Sequence, residues 1–140
     1  MVNAALRYKQ MNAESGAQSA TPHQLILMLF NGAVERINQA KGHMQRGNIP
    51  EKGLLISKAI AIVGELQASL DLKVGGDLAE NLFLLYDYIN RRLLAANAEN
   101  NVDYLDEAAT LIKEIKSAWE EMPREYQTMS EQEKAQLAVS

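Results

Sequence analysis

The 140-residue sequence contains no cysteine. This absence excludes disulfides, thiolate zinc sites and cysteine nucleophiles, and it is typical of a protein in a reducing cytoplasm. Only three residues are proline and only 6% are aromatic, yet 47% are hydrophobic. A core must therefore consist mainly of leucine, isoleucine, alanine and valine. This composition predicts an all-α fold with enough apolar volume for one domain.

Long apolar runs and blocks of like charge are also missing. No segment approaches the roughly 20 apolar residues that span a membrane, and the N-terminus lacks the basic start and apolar block of a signal peptide. The net charge is −4, so we do not expect nucleic acid as a partner. We expect a cytoplasmic protein that does not insert into membranes.

Helix start and stop signals divide the chain into four long segments. The hydroxyl of Thr21 before Pro22 starts the first helix. Asn48, with Glu51 three residues later, predicts a capping box for the second. The predicted helices run over about 22–46, 49–73, 77–98 and 102–122, and Asn101 or Asp103 is expected to cap the fourth.

Four long helices joined by short turns must lie antiparallel to their neighbours. The predicted fold is an all-α, antiparallel up-down four-helix bundle with a short extra N-terminal helix. We expect one helical-bundle domain over residues 1–122, with a mobile N-terminal helix at 2–14 and a linker at 15–21. Residues 123–140 are polar and are expected to form a flexible C-terminal tail.

Catalytic and metal-binding patterns are absent from the sequence. Alanine stands three residues before each histidine, which excludes the Glu-x-x-His pattern of di-iron bundles. The zinc-protease motif and a phosphate-binding glycine loop are missing as well. We therefore expect a protein that is not an enzyme, with no catalytic residue, no cofactor and no metal.

The two histidines need separate interpretations. We expect His23 to be exposed at the start of the first helix. His43, followed by a cation in "HMQRG", leaves one alternative open, because phosphotransfer domains are four-helix bundles with an exposed histidine. Against that alternative, Gly47 ends the helix close behind His43.

The predicted helices carry more apolar surface than one core stripe requires. In "LAENLFLLYDYINRRLL" at 78–94, one face at about 100° per residue is apolar, but further apolar residues lie on both sides of it. That core stripe consists of Leu78, Leu82, Leu85, Tyr86, Ile89 and Leu93. The first helix has the same excess, and the second has a strip of small residues beside its core face. The candidate groove residues are Tyr8, Leu25, Leu27, Met28, Val34, Leu54, Ala61, Gly64, Ala68, Phe83, Leu84, Tyr88 and Leu94.

Two interpretations of this excess remain open. In the first, the bundle's own helices cover these residues, since a bundle helix has two neighbours, and the small strip is an internal helix contact. In the second, the residues form grooves for helices of another protein. Gly64 in mid-helix costs about 1 kcal/mol relative to alanine, so a packing role for it is expected in either case.

Three segments carry a family resemblance. "TPHQLILMLFNGA" at 21–33 resembles the S/T-P-x-x-L-x-x-M-L-Y/F-D/N-G-A opening of the FliS family, the flagellar export chaperones for flagellin. "SKAIAIVGELQASLD" at 57–71 and "GGDLAENLFLLYDYINRRLLAAN" at 75–97 are similar to its second and third signatures, in the same order. Small departures occur at Asn31 and Arg7.

The resemblance implies a non-enzymatic chaperone that binds the C-terminal segment of newly made flagellin in the cytoplasm. That segment is disordered before assembly, so covering its apolar face prevents premature polymerisation and keeps it competent for type III secretion. A flagellar export-gate protein is a further candidate partner, and the client-free protein is a candidate homodimer. We also expect Tyr8 to occupy part of the client groove until the client displaces it.

Overall fold

The computed structural model describes residues 19–121, which form four α-helices and no strand. Helix α1 spans Pro22–Gln45, α2 spans Ile49–Ala68, α3 spans Leu72–Glu99 and α4 spans Val102–Glu120. The predicted all-α class is confirmed. The predicted N-terminal helix and C-terminal tail lie outside the described residues.

The helices pack in the order in which they follow one another along the chain. Each contacts the next, and α4 closes the ring against α1. The short connections at 46–48, 69–71 and 100–101 reverse the chain each time, so neighbouring helices run antiparallel. The arrangement is the predicted up-down four-helix bundle.

Aliphatic side chains and a few aromatic rings fill the space between the four helices. On each helix the buried residues recur three or four positions apart, which places them on one face. Burying one large aliphatic side chain contributes about 1.5–3 kcal/mol. The core cluster consists of Leu29, Phe30, Ala33, Ile37, Ala40, Met44, Ile56, Ala59, Val63, Leu66, Tyr86, Ile89, Leu93, Ala96, Leu105, Ala108, Ala109 and Ile112.

Local capping fixes the start of α1 and of α4. The Thr21 hydroxyl accepts a hydrogen bond from the Gln24 backbone N–H at 3.1 Å, and the Gln24 side chain accepts one from the Thr21 N–H at 2.8 Å. At α4 the Asn101 side chain accepts from the Tyr104 N–H at 3.3 Å. These bonds satisfy backbone donors that have no partner within the helix. The predicted start at Thr21 is confirmed, and of the two caps considered for the fourth helix the structure has Asn101.

The capping box predicted for α2 is wrong. Asn48 makes no side-chain capping bond. Its amide nitrogen instead lies 3.1 Å from Nδ1 of His43 in the last turn of α1. The side chain therefore links the two helices across their connection and does not reach the backbone of the first turn of α2.

Helix α2 is shorter than predicted, because it ends at Ala68 and not near Lys73. The Ser69 hydroxyl donates to the carbonyl oxygen of Leu66 at 2.6 Å, which turns the chain out of the helix. The Asp71 carboxylate then accepts from the next backbone N–H groups and starts α3. These two side chains outweigh the helix propensity of the segment between them.

Helix α3 begins at Leu72, before its predicted start near residue 77, and Gly76 forms a kink inside it. Gly76 adopts φ 55° and ψ −138°, a conformation that L-residues rarely tolerate. One helical turn precedes this kink and the long part of α3 follows it. Leu78, predicted in the core, is 67% exposed because this part of α3 extends past the end of α2.

Candidate binding surfaces around helix α3

Large apolar side chains lie exposed mainly on α2 and α3. Four of them are predicted groove residues: Leu54, Phe83, Leu84 and Leu94. Three others were not predicted as such: Ile49, Leu72 and Leu78. Single exposed apolar residues are ordinary on protein surfaces. Only side chains that lie together indicate a binding surface.

Two interhelical hydrogen bonds fix how α2 lies against α3. Near the end of α2, the Gln67 amide donates to the carbonyl oxygen of Phe83 at 3.0 Å. In mid-helix, the Asn90 amide donates to the carbonyl oxygen of Ile60 at 3.3 Å. Since the helices are antiparallel, the C-terminal end of α2 lies beside Phe83, and its N-terminal half lies beside Leu94.

The strip of small residues on α2 faces outward. Ser57, Ala61 and Ala68 are exposed, and a Cβ added at Gly64 would meet no neighbouring atom of residues 19–121 within 4 Å. The strip is therefore not a contact between the bundle's own helices. We name the surface that it forms with the exposed apolar residues beside it the α2/α3 face. Its members are Leu54, Ser57, Ala61, Gly64, Ala68, Phe83 and Leu94.

The candidates on α1 are not part of the α2/α3 face. Leu27 and Val34 are partly buried and pack against the core cluster, and Met28 is half-buried. Leu25 is only 4% exposed, so it offers no open surface in this conformation. Much of the apolar excess that the sequence indicated for α1 is thus covered. Tyr8 lies outside the described residues.

Tyr88 belongs to a polar cluster that joins α3 to α4. Its hydroxyl donates to one carboxylate oxygen of Glu107 at 2.7 Å, and Nε of Arg92 donates to the other at 2.6 Å. The hydrogen bond from Tyr88 and that from Arg92 lower the pKa of Glu107, and the bond to Glu107 raises the pKa of Tyr88. The role of Glu107 was not predicted from the sequence, because its partners lie on another helix, 15 and 19 positions away.

An apolar cavity of ≈ 130 Å³ opens at the end of the bundle where α1 begins and α4 ends. Its size and lining suit a hydrophobic side chain. Burial raises the pKa of Tyr86 in its wall. The lining consists of Pro22, Ile26, Phe30, Leu66, Ser69, Leu70, Leu82, Tyr86, Ile115 and Trp119.

His23 borders this end of the bundle and is buried, so the prediction that it is exposed is wrong. Its exposed fraction is 2%. Its ring stacks on that of Trp119 with 4.8 Å between centroids, and Trp119 Nε1 donates to the backbone oxygen of His23 at 3.0 Å. The local sequence around His23 could not predict this contact, because Trp119 is 96 positions away.

His43 lies in the last turn of α1, where one ring nitrogen is next to the Asn48 amide. Between residues 19 and 121, no group of histidine, aspartate and glutamate side chains is placed to hold a metal ion. In the same part of the chain, no helix is long and apolar enough to cross a membrane.

Comparison with known proteins places the chain in a family. The sequence profile described as "Flagellar protein FliS" matches residues 3–126. The chain belongs to the FliS family. Its FliS-family relatives include Flagellar secretion chaperone FliSB of Pseudomonas aeruginosa, which is 46% identical over 119 residues, or 85% of this chain and 94% of that protein. Flagellar secretion chaperone FliS of Vibrio cholerae is 42% identical over 123 residues, or 88% and 90%.

A third FliS relative, from Salmonella typhimurium, is 43% identical over 116 residues, which cover 82% of this chain and 86% of that protein. It is also named a flagellar secretion chaperone. The resemblance drawn from the three sequence segments is therefore confirmed. As a member of the FliS family the chain is a chaperone-type protein and not an enzyme, and nothing in these matches supports a phosphotransfer role for His43.

Proposed function

We propose that this chain is a cytoplasmic export chaperone that binds the C-terminal segment of flagellin. By covering that segment it prevents premature polymerisation and keeps flagellin competent for flagellar type III secretion. The observation that carries this proposal is the α2/α3 face, where small side chains face solvent between large exposed apolar ones. A family name that refers to flagellar secretion supports it further.

The shape of the α2/α3 face suits a helix. From Leu54 to Ala68 the strip covers about 21 Å, since each helical residue adds about 1.5 Å. Small side chains at Ala61 and Gly64 let another backbone approach closely. A client helix with large apolar residues three or four positions apart would then contact the small strip with one face. Leu54, Phe83 and Leu94 would pack against its flanks.

The energetics favour reversible binding without ATP. Burial of apolar area contributes about 25 cal/mol per Å², but a disordered client must order its backbone when it binds. That ordering offsets about 2–5 kcal/mol or more of the interaction energy. The client can therefore be held and later released by competition from the export apparatus, with an export-gate protein as the proposed acceptor.

Co-purification with flagellin of the same organism tests the proposal. Full-length flagellin should be retained, whereas flagellin that lacks its last ~40 residues, which as a helix would span about twice the bundle length, should be lost. Gly64→Leu should weaken flagellin binding by at least about tenfold, because the leucine side chain would occupy the space that the client helix is proposed to fill. Lys58→Leu is the matched control, since it adds leucine to exposed α2 surface outside the strip.

Equal retention of the truncated flagellin would overturn the flagellin proposal. A different result would overturn the location only: full binding by Gly64→Leu with an unchanged thermal unfolding midpoint. Circular dichroism melts of both variants separate these outcomes from simple misfolding.

The role of Tyr8 as a displaceable plug stays a prediction. If Tyr8 occupies the client surface in the free protein, deletion of residues 1–15 should leave the affinity for flagellin equal or tighter and speed association, because a blocked site lowers apparent affinity by the open fraction. The truncated, client-free chain should also dimerise more readily. A large loss of affinity in calorimetry would mean that Tyr8 contacts the client directly or supports the bundle.

A further inference from the structure

A second groove runs along the opposite side of α3, where that helix lies against α4. The contact between Tyr88 and Glu107 fixes its register. One turn before Tyr88 on α3 is Leu84, and one turn after Glu107 on α4 is Leu111. Because the helices are antiparallel, these two leucines lie side by side.

The apolar part of this groove is open. Leu84 is 58% exposed, while Leu111 is partly buried against the core and forms the floor. Leu78 continues the apolar surface toward the start of α3. It lies two heptads before Arg92, a residue that contacts α4, so it is on the same side of the helix. We name the surface formed by Leu78, Leu84 and Leu111 the α3/α4 groove.

Carboxylates without partners border the α3/α4 groove. Asp77 lies one heptad before Leu84 on α3, and Glu114 follows Leu111 by one turn on α4. Within residues 19–121 neither carboxylate forms a salt bridge. Both are exposed, so their negative charge is available to a partner.

Three of the cations nearby are paired elsewhere, and Lys73 lies in the helical turn before the kink at Gly76. Arg91 bonds to Asp87 on its own helix, and Arg92 bonds to Glu107. On α4, Lys116 pairs with Glu120. Lys113 lies seven positions after Asp106, which bonds to Lys41 of α1, so it is on the side of α4 that faces α1.

We propose that the α3/α4 groove binds an amphipathic helix of a partner protein, one whose apolar stripe is bordered by lysine or arginine. The apolar stripe covers Leu84 and Leu111, and the flanking cations meet Asp77 and Glu114. Complementary charge of this kind sets the rate and specificity of association. This partner site is separate from the α2/α3 face and goes beyond the flagellin role proposed for that face.

The groove is also held rigid before any partner arrives. The Tyr88, Arg92 and Glu107 contacts join the two helices at one end of the groove. Packing of Leu111 against the core fixes its floor. A preformed surface lowers the entropic cost of binding, which favours recognition even when few side chains take part.

A pair of labelled model peptides tests the proposal. The first is a leucine, alanine and lysine helix of about 18 residues, long enough at about 27 Å to cover the groove. The second is identical except that glutamate replaces each lysine. Fluorescence anisotropy with the full chain should detect binding of the lysine peptide only. That binding should weaken as salt is raised, since the flanking charges are exposed.

Three variants locate the site. Leu84→Ser and Glu114→Lys should each weaken binding of the lysine peptide by about tenfold. Leu54→Ser removes an equally exposed leucine from the α2/α3 face and should change binding of the lysine peptide by less than about twofold. Because Glu114 is exposed, its variant keeps the test valid even if Leu84→Ser were to disturb folding.

Several outcomes would overturn the proposal. The first is equal binding of the lysine and glutamate peptides. The second is unchanged binding of the lysine peptide by both Leu84→Ser and Glu114→Lys. The third is a loss of lysine-peptide binding with Leu54→Ser as large as that with Leu84→Ser. Flagellin co-purification separates this site from the flagellin site, because Leu84→Ser should retain flagellin. If Leu84→Ser lost flagellin but bound the lysine peptide normally, the groove would be part of the flagellin surface and the second partner would be rejected.

Discussion

The guanidinium carbon of Arg92 lies 3.8 Å from the centre of the Tyr104 ring, and Nε of the same side chain bonds to Glu107 of α4. The preceding residue, Arg91, contacts only its own helix: it forms an exposed pair with Asp87 at 3.2 Å and lies 5.9 Å from the centre of the Tyr88 ring. Adjacent arginines therefore differ in function: one joins two helices and the other stays on the surface of one.

This difference predicts unequal effects of truncation. Arg92→Ala should lower the urea midpoint clearly, because it removes a stacked cation, an interhelical hydrogen bond and the packing of the side-chain stem. Arg91→Ala should have little effect, since an exposed pair within one helix contributes only a few tenths of a kcal/mol. The fluorescence of Trp119, the only tryptophan, reports unfolding. A larger shift for Arg91→Ala would reject this ordering.

Glu107 predicts a component of acid sensitivity. Its pKa is lowered in the folded state by hydrogen bonds from Tyr88 and Arg92, so the unfolded chain binds a proton more readily. The stabilisation is complete above the ordinary glutamate pKa of about 4.3 and is lost as the pH falls through the lower folded value. Glu107→Gln should be less stable at neutral pH and should lose less of its remaining stability toward low pH. Parallel urea titrations check both points; identical pH profiles for the two proteins would contradict the assignment.

Lys52 on α2 is 3% exposed and donates to the Asn97 carbonyl oxygen and the Asn100 side chain at the end of α3. Lys52→Met keeps the apolar stem but leaves these acceptors unpaired, so we expect a loss of about 1–3 kcal/mol in unfolding free energy. Lys58→Met on the same helix is the control. Its side chain is exposed, and its effect should stay within about 0.5 kcal/mol. Equal losses would show that the buried donor does not matter.

Substitution by alanine should have opposite effects on stability at two glycines. At Gly64 a Cβ meets open space, so Gly64→Ala should stabilise the protein by up to about 1 kcal/mol through helix propensity. At Gly76 the positive φ disfavours any L-residue, and Gly76→Ala should cost about 1–3 kcal/mol. Thermal and urea unfolding measure both. A destabilised Gly64→Ala would argue that a neighbour packs on the strip in the free protein.

The sequence predicted those parts of the fold that local chemistry controls. Thr21 with Pro22 and Asn101 start their helices through bonds to residues three positions away, so their signals are visible in a short window. The end of α2 was missed because Ser69 and Asp71, which are unremarkable in a helical pattern, bond to the backbone there. His23 was missed because its environment depends on a residue of α4.

The candidate surfaces were predicted unevenly for a related reason. Helical periodicity shows the direction in which a side chain points, but not how many helices lie beside it. On α2 none of the other three described helices packs on the strip with Ala61 and Gly64. On α1, Leu27 and Val34 are partly buried, because they pack against the core cluster. Periodicity alone could not separate these two cases.

The packing of α4 against α1 has a consequence for synthesis. Every other main contact joins helices that follow one another, so each hairpin can pair as soon as it is made. The sides of α1 and α3 that pack against α4 stay uncovered until the last helix is made. At about 5–20 residues per second, translation of α4 takes about 1–4 s. A ribosome-bound chain therefore passes through a three-helix stage in which the apolar surface that α4 later covers is exposed. During that stage this chaperone-family protein is itself prone to aggregation.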